Sequence, residues 1–139
     1  MAWELDIVKP SGASKAQAFQ PLGDAREVWE RIATVFPAMI SVGRERHWHA
    51  DGCLFRASAF LDRERALEGT VDALALTVSG LGDPRLGLRK LCEAFGADAY
   101  DVYENAPIDL TRPVLPGWER YRARATPQLR AVREDHANA

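Results

Sequence analysis

Much that would announce a function is scarce in this chain of 139 residues. It has 2 cysteines, Cys53 and Cys92, too few for the dense disulfide framework on which small secreted domains often rely. Each lies in an apolar stretch and reads as a small buried side chain, although the sequence leaves a disulfide between them open. A basic excess is missing: 18 Lys and Arg stand against 20 Asp and Glu, a net charge of -2. Neutralising phosphates needs a clear surplus of positive charge, so the composition argues against a dedicated nucleic-acid binder. No apolar run approaches the ~20 residues that cross a bilayer. The first residues, Met1 to Asp6, lack a basic segment followed by a continuous apolar one, so no signal peptide is expected and the cytosol is the expected location. There is no internal repeat, no low-complexity tract and no Gly-Lys-Ser/Thr phosphate loop.

What is present is the make-up of one globular domain. The apolar fraction of 47% and charged fraction of 27% are ordinary, and a chain of this length buries enough surface to fold without staples. Trp3-Glu4-Leu5-Asp6-Ile7 alternates apolar with charged, the period of an antiparallel or edge strand with one wet face. The segment from Ser14 to Gly23 is weakly patterned and fits a short helix or a loop. Asp24 to Glu27 has the form of a capping box. Val28, Trp29, Ile32, Val35 and Phe36 then recur at helical spacing up to Pro37, which predicts a helix over Ala25–Phe36. Met39 to Val42 fits a short strand or an extended link.

Asp51-Gly52 is a hairpin-turn signal, because a type I′ turn needs positive φ at both central residues. A strand over Cys53–Leu61 is predicted after it, with Cys53, Phe55, Ala57, Ala59 and Leu61 inward, and Asp62 to Gly69 reads as a turn or loop. Val71 to Ser79 carries the strongest strand pattern: Leu74, Leu76 and Val78 on one face, Ala73, Ala75 and Thr77 on the other. Gly80-Leu81-Gly82 turns the chain, with Asp83 as N-cap and Pro84 as the first residue of the next helix. Leu88, Leu91, Cys92 and Phe95 form its apolar stripe, and Gly96 suits a left-handed C-terminus. A strand over Ala99–Tyr103 follows. The strand–helix–strand length predicts a right-handed parallel crossover. Prolines 107, 113 and 116 break the chain into loop. Trp118 to Ala125 forms a helix, Thr126-Pro127 starts another, and the chain frays from about Glu134. The expected fold is α/β, equally describable as α+β: a mixed sheet of about five strands with two main helices in a domain spanning residues 1–112, and a C-terminal helical extension over 113–139 packed on it.

Five features invite chemistry. His47, His49 and Asp51 would project from one face of a strand, and imidazole with carboxylate suits a divalent metal; the competing reading is a solvated strand whose Asp51-Gly52 is committed to the turn. Cys53 could approach His49 across the hairpin as a thiol nucleophile, whereas Cys92 lies on an apolar helix stripe where burial makes a thiol inert. Gly80-Leu81-Gly82 looks like the start of a dinucleotide loop, but Arg85 stands where a third glycine belongs and Asp83 would repel a phosphate from the helix N-terminus. Arg112, Arg120, Arg122, Arg124, Arg130 and Arg133 give the tail a basic cast, read as a solvated helix face with Trp118 and Tyr121 docked on the body.

The fifth feature is acidic. Asp98, Tyr100, Asp101, Tyr103, Glu104 and Asp109 read either as a solvated strand edge or as a recognition surface for a basic partner, with carboxylates steering the encounter and tyrosines supplying contact area.

Asp51-Gly52 before an alternating strand, then the strand Val71–Ser79, Gly80, Gly82-Asp83-Pro84, Leu88, Leu91-Cys92, Gly96, Ala99, Asp101 and Ile108-Asp109-Leu110, together resemble a group of small bacterial α/β proteins that serve as immunity partners in polymorphic-toxin systems. The likeness covers about residues 51–110, and the extension after Pro113 departs from the compact pattern. It implies a stoichiometric inhibitor, not an enzyme, with no cofactor, metal or catalytic residue of its own. Such a protein would bind a cognate toxin, a basic nucleic-acid-targeting domain on the charge argument, by covering its active site or locking its conformation, without touching nucleic acid or membrane itself. The runner-up expectation is a small metal-dependent or thiol enzyme built on His47, His49, Asp51 or Cys53. A third is a non-catalytic structural or adaptor module, a homodimer through an exposed sheet edge.

Overall fold

The computed structural model describes the backbone of residues 2–10, 19–61 and 69–137, and the side chains of all of these except 60, 61 and 127–137. The fold is α+β: three helices lie on an antiparallel sheet of nine strands among the described residues.

The sheet is built around β1 (Trp3–Pro10) and β7 (Thr70–Gly80), with β4 (Ile40–Val42), β5 (Glu45–Ala50), β6 (Cys53–Leu61), β8 (Asp98–Asp101) and β9 (Ala106–Pro107) completing the order β4-β5-β6-β7-β1-β8-β9. Two short strands attach at the sides, β2 (Phe19–Gln20) on β1 and β3 (Gly23–Asp24) on β7. The expected mixed sheet of about five strands is therefore larger and antiparallel in every pair. Two- and three-residue strands such as β2, β3 and β9 carry too few residues for a period-2 signal, which is why the count rose.

β1 sits at the centre of the sheet. Its alternation holds, with Trp3, Leu5 and Ile7 buried and Glu4 exposed, and it is antiparallel to both neighbours. Of the two expected placements, antiparallel or edge, it takes the first, as a central strand. It inserts between β7 and β8, so those two run parallel to one another, the relation the strand–helix–strand length predicts, with one strand between them. A strand from the chain's start can fill that gap because the β7-to-β8 connection is long enough to step across one strand.

The three helices, α1 (Ala25–Val35), α2 (Arg85–Phe95) and α3 (Pro116–Ala137), pack on the face that carries Leu5, Phe55, Leu74, Leu76 and Val78. Helix α1 starts as its sequence dictates: the Asp24 carboxylate accepts from the Arg26 N–H at 3.1 Å, and Phe36 closes it one residue before Pro37. In α2, Leu88, Leu91, Cys92 and Phe95 are buried and Gly96 adopts φ 59°, as their spacing predicts. Its first helical residue is Arg85, one later than expected, yet Asp83 still caps it by accepting from the Arg85 N–H at 3.0 Å.

The core has two aromatic centres. Phe36, Trp48 and Phe55 stack in series at 4.9 and 5.6 Å, joining α1 to the β5–β6 hairpin. At the other end Trp3, Trp118 and Tyr121 group where α3 meets the sheet. Helix α3 is continuous from Pro116 to Ala137, so the second helix expected to start at Thr126-Pro127 is a continuation of the first. Proline lacks an N–H, and the Thr126 hydroxyl donates to the Arg122 carbonyl at 2.8 Å just before it. The Asp62–Gly69 turn lies outside the described residues except for Gly69, as does the first half of the weakly patterned Ser14–Gly23 stretch; the second half holds β2 and the start of β3 where a short helix or loop was expected. Among the described residues no helix is long and apolar enough to cross a membrane.

Candidate functional site

The Asp51-Gly52 hairpin forms as a tight turn, with φ of 51° and 78°. It docks on the second glycine turn of the chain. Gly82 donates to the Gly52 carbonyl and Asp83 to the Asp51 carbonyl, both at 3.2 Å. The fit admits no side chain at position 82, where a Cβ would lie 1.8 Å from the Asp51 carbonyl oxygen. The Gly80 N–H goes to the Tyr121 hydroxyl at 3.1 Å, and the Gly82 carbonyl accepts from the Trp118 indole at 3.2 Å. The N–H groups that would cradle a phosphate, those of Gly80, Gly82, Asp83 and Arg85, are thus all engaged: the turn is a structural clasp.

His47 and His49 do share a face of β5, the one away from the helices, while Trp48 points inward. His47 is taken up by Glu45, whose carboxylate lies 3.1 Å from its Nε2 and also accepts from Arg56 at 3.1 Å. These contacts, the His47 bond foremost, hold the Glu45 carboxyl below its usual range. Among the described residues no three His, Cys, Asp or Glu side chains are grouped to hold a metal. Cys53 does not meet His49. In the β5–β6 register His49 opposes Leu54 and Cys53 opposes Ala50, so the thiol faces the core and the imidazole the opposite side. Both cysteines are free and buried. Burial pushes the Cys53 thiol up to about 11 and the Cys92 thiol up to about 12, away from the thiolate that nucleophilic chemistry needs.

The acidic stretch does not form one surface. Strand alternation divides it. Asp98 and Tyr100 lie on the open face of β8, opposite Val8 and Asp6. Asp101 turns inward and is 5% exposed; it accepts from the Trp3 indole at 2.9 Å and from the Glu104 N–H at 3.0 Å. This carboxylate is engaged in two internal hydrogen bonds that tie β8 to β1 and to the following turn, unlike the solvent-facing Asp98 with which the sequence groups it. Tyr103 is 78% exposed in the turn that follows, with the Arg120 guanidinium over its ring at 5.3 Å. Glu104 pairs with the same arginine. The Thr111 hydroxyl, and after it the Thr111 N–H at 2.9 Å, donates to Asp109 and keeps its carboxyl low, and Arg112 lies 3.7 Å away. Glu104 and Asp109 are thus neutralised within the chain, so the stretch as a whole is less acidic than its sequence.

Acidity gathers instead on the open face of the sheet, from residues of different strands. Glu4 opposes Thr77, Asp6 opposes both Ala75 and Tyr100, and Asp98 opposes Val8. Ala73, Ala75, Thr77 and Ser58 make a low, half-buried floor, flanked by Tyr100 with Phe19 edge-on at 5.9 Å. Burial, then the charge of Glu4, raises the Asp6 carboxyl above its usual range. Glu4 and Asp6 were visible in the sequence as the wet side of the first strand, but only the register sets them beside Asp98 and Tyr100.

No protein family, curated protein or solved structure matches this chain.

Proposed function

We propose that the chain is a cytoplasmic immunity protein that neutralises a cognate toxin by applying the open face of its sheet to a basic surface of that toxin. The observation that carries the reading is the grouping of Glu4, Asp6, Asp98 and Tyr100 on a face to which none of the three helices is applied. Carboxylates over a floor of small side chains suit a partner with protruding Lys or Arg, and Tyr100 and Phe19 supply aromatic contact area. The raised Asp6 carboxyl supports the choice of a cationic partner. Its charge is held at a cost in the free protein, and a basic group brought against it would relieve that cost. The likeness of residues 51–110 to immunity proteins of polymorphic-toxin systems agrees with a stoichiometric binder.

Co-purification from the native host tests the class. A basic domain retained at one-to-one stoichiometry, whose toxicity the chain suppresses, is the expected result. Retention of a partner whose activity is unaffected by the chain would remove the immunity reading. Charge reversal at Asp6 and Asp98 together should weaken capture at least tenfold, while Glu104→Gln should leave it intact. The opposite pattern would move the interface to the β8–α3 turn.

A further inference from the structure

A cavity of about 350 Å³ lies between the end of β8, β9, the loop that follows β9 and the start of α3. Its volume is at the lower end of the range of small-molecule sites. Trp3, Pro107, Ile108, Leu115 and Pro116 supply apolar walls, and it shares no residue with the acidic open face of the sheet. The loop that forms one wall is tied to α2: the Arg89 guanidinium donates to the Leu110 carbonyl at 3.2 Å and the Arg85 guanidinium to the Pro113 carbonyl at 2.8 Å. The wall is thus already ordered, which lowers the cost of seating a ligand against it.

The sign of the site is set by Asp101, the buried carboxylate of its wall. Both oxygens of this group abut other lining residues. One accepts from the Trp3 indole and lies where a Gly117 side chain would begin, and the other accepts from the Glu104 N–H. Both donors are neutral, and no ion pair of the described residues includes Asp101. Buried charges are ordinarily paired; this one keeps its negative charge without a counter-ion, and its two contacts use two of the roughly four lone-pair positions a carboxylate offers. Glu104 and Asp109 add carboxylates at the exposed rim, and Arg112 is the one cation among the described lining residues. Glu104 is paired with Arg120, and Asp109 with Arg112 at 3.7 Å. Three carboxylates therefore stand against two guanidinium groups, and the unmatched charge is the buried one.

We infer that this cavity binds an organic ammonium ion on an apolar body, the ammonium seated against Asp101 and the body against Ile108, Leu115 and the neighbouring prolines. An ammonium is a compact charge that needs one lone-pair position on an oxygen already engaged elsewhere. Its attraction to a buried carboxylate is screened less than to a carboxylate at the surface, and Glu104 and Asp109 at the rim favour the approach of a cation. The inference stands apart from the immunity reading, and each can fail without the other. One ligand chemistry has two sources here: a free amine, or the lysine side chain of a bound protein.

The Trp3 indole N–H, which donates to Asp101 at 2.9 Å, is a built-in reporter in ¹H–¹⁵N spectra. Titration of the full chain with benzylamine, and separately with N-acetyl-lysine methylamide, is expected to shift this resonance saturably. Tighter binding of benzylamine assigns the free amine, and tighter binding of the capped lysine the protein side chain. Benzyl alcohol, of the same shape without the charge, should bind at least tenfold more weakly than benzylamine, and benzoate should not shift the resonance. Asp101→Asn keeps an oxygen for the Trp3 indole and removes the charge, so it should abolish binding of the better probe. Glu104→Gln, at the exposed rim, tests the same point without touching the core: it removes one carboxylate and releases Arg120 to turn toward Asp101, and should weaken binding at least tenfold. Arg112→Gln removes the cation of the lining and should tighten it severalfold. No saturable shift with either amine, benzyl alcohol or benzoate binding as tightly as benzylamine, or an unchanged affinity in Glu104→Gln or in a folded Asp101→Asn variant would each overturn the proposal.

Discussion

Replacing Gly117 by alanine probes the junction that ties α3 to the sheet. In most helix interiors this change stabilises, by up to about 1 kcal/mol, because alanine has the better helix propensity. Here the added Cβ would fall 2.6 Å from the Trp3 Nε1 and still closer to the Asp101 carboxylate. Neither group can step aside. Trp3 is packed against Trp118 at a ring separation of 5.9 Å, and Asp101 is held from its other oxygen by the Glu104 N–H. The methyl must break the Trp3–Asp101 bond or lift the first turn of α3. A hydrogen bond to a charged group contributes about 1.5–3 kcal/mol, which exceeds the propensity gain. Lifting the turn would further expose Trp118. The expected net loss is about 2 kcal/mol, or about 8 °C in Tm at roughly 4 °C per kcal/mol for a domain of this size. Urea unfolding followed by tryptophan fluorescence should show a lower midpoint with an unchanged slope. Trp3→Phe removes the same bond from the other side, so it should cost clearly less in the Gly117→Ala background than alone. A Gly117→Ala protein as stable as the parent would refute the account of this junction.

Two pH-linked predictions follow from the titrating groups. Because the Asp6 carboxyl is raised, the folded protein holds that proton more tightly than the unfolded chain, so stability is lost as pH rises through the raised value. Asp6→Asn should therefore raise the urea midpoint at pH 7, and the gain should vanish below the ordinary carboxylate value of 3.8; a loss at pH 7 would contradict it. The thiols are raised too, so stability should fall from pH 9 toward about 11 as the unfolded chain releases its thiol protons first. In the native protein at pH 8, a shift from 9.0 to about 11 makes the Cys53 thiolate about a hundredfold scarcer than in the unfolded chain. A thiol-reactive disulfide reagent should label neither cysteine rapidly until urea is added, and prompt labelling of Cys53 in the folded state would count against its inward placement.

Local chemistry made parts of this protein readable. Asp24 with its helix stripe, Asp51-Gly52 with its two positive φ values, the Cys53–Leu61 strand, and Asp83 to Gly96 follow rules that act within one or two turns of chain, and each element formed within a residue of its expected bounds. The acidic stretch shows where such rules stop. Asp98, Asp101 and Glu104 are close in sequence, yet a period of two sends the first to open solvent and the second into the core, and the third is neutralised by an arginine 16 residues on.

The sequence by itself determined the longer strands β1, β6 and β7, the helices α1 and α2 with their caps, and which side of each is apolar, because propensity, capping and alternation depend on near neighbours. Only the tertiary structure decided that β1 runs between β7 and β8, that Asp101 is an internal acceptor for Trp3, and that Glu4, Asp6, Asp98 and Tyr100 share one face. Those outcomes depend on strand order and register between segments up to 98 residues apart. Register is fixed by packing the whole apolar face at once, which no local pattern encodes.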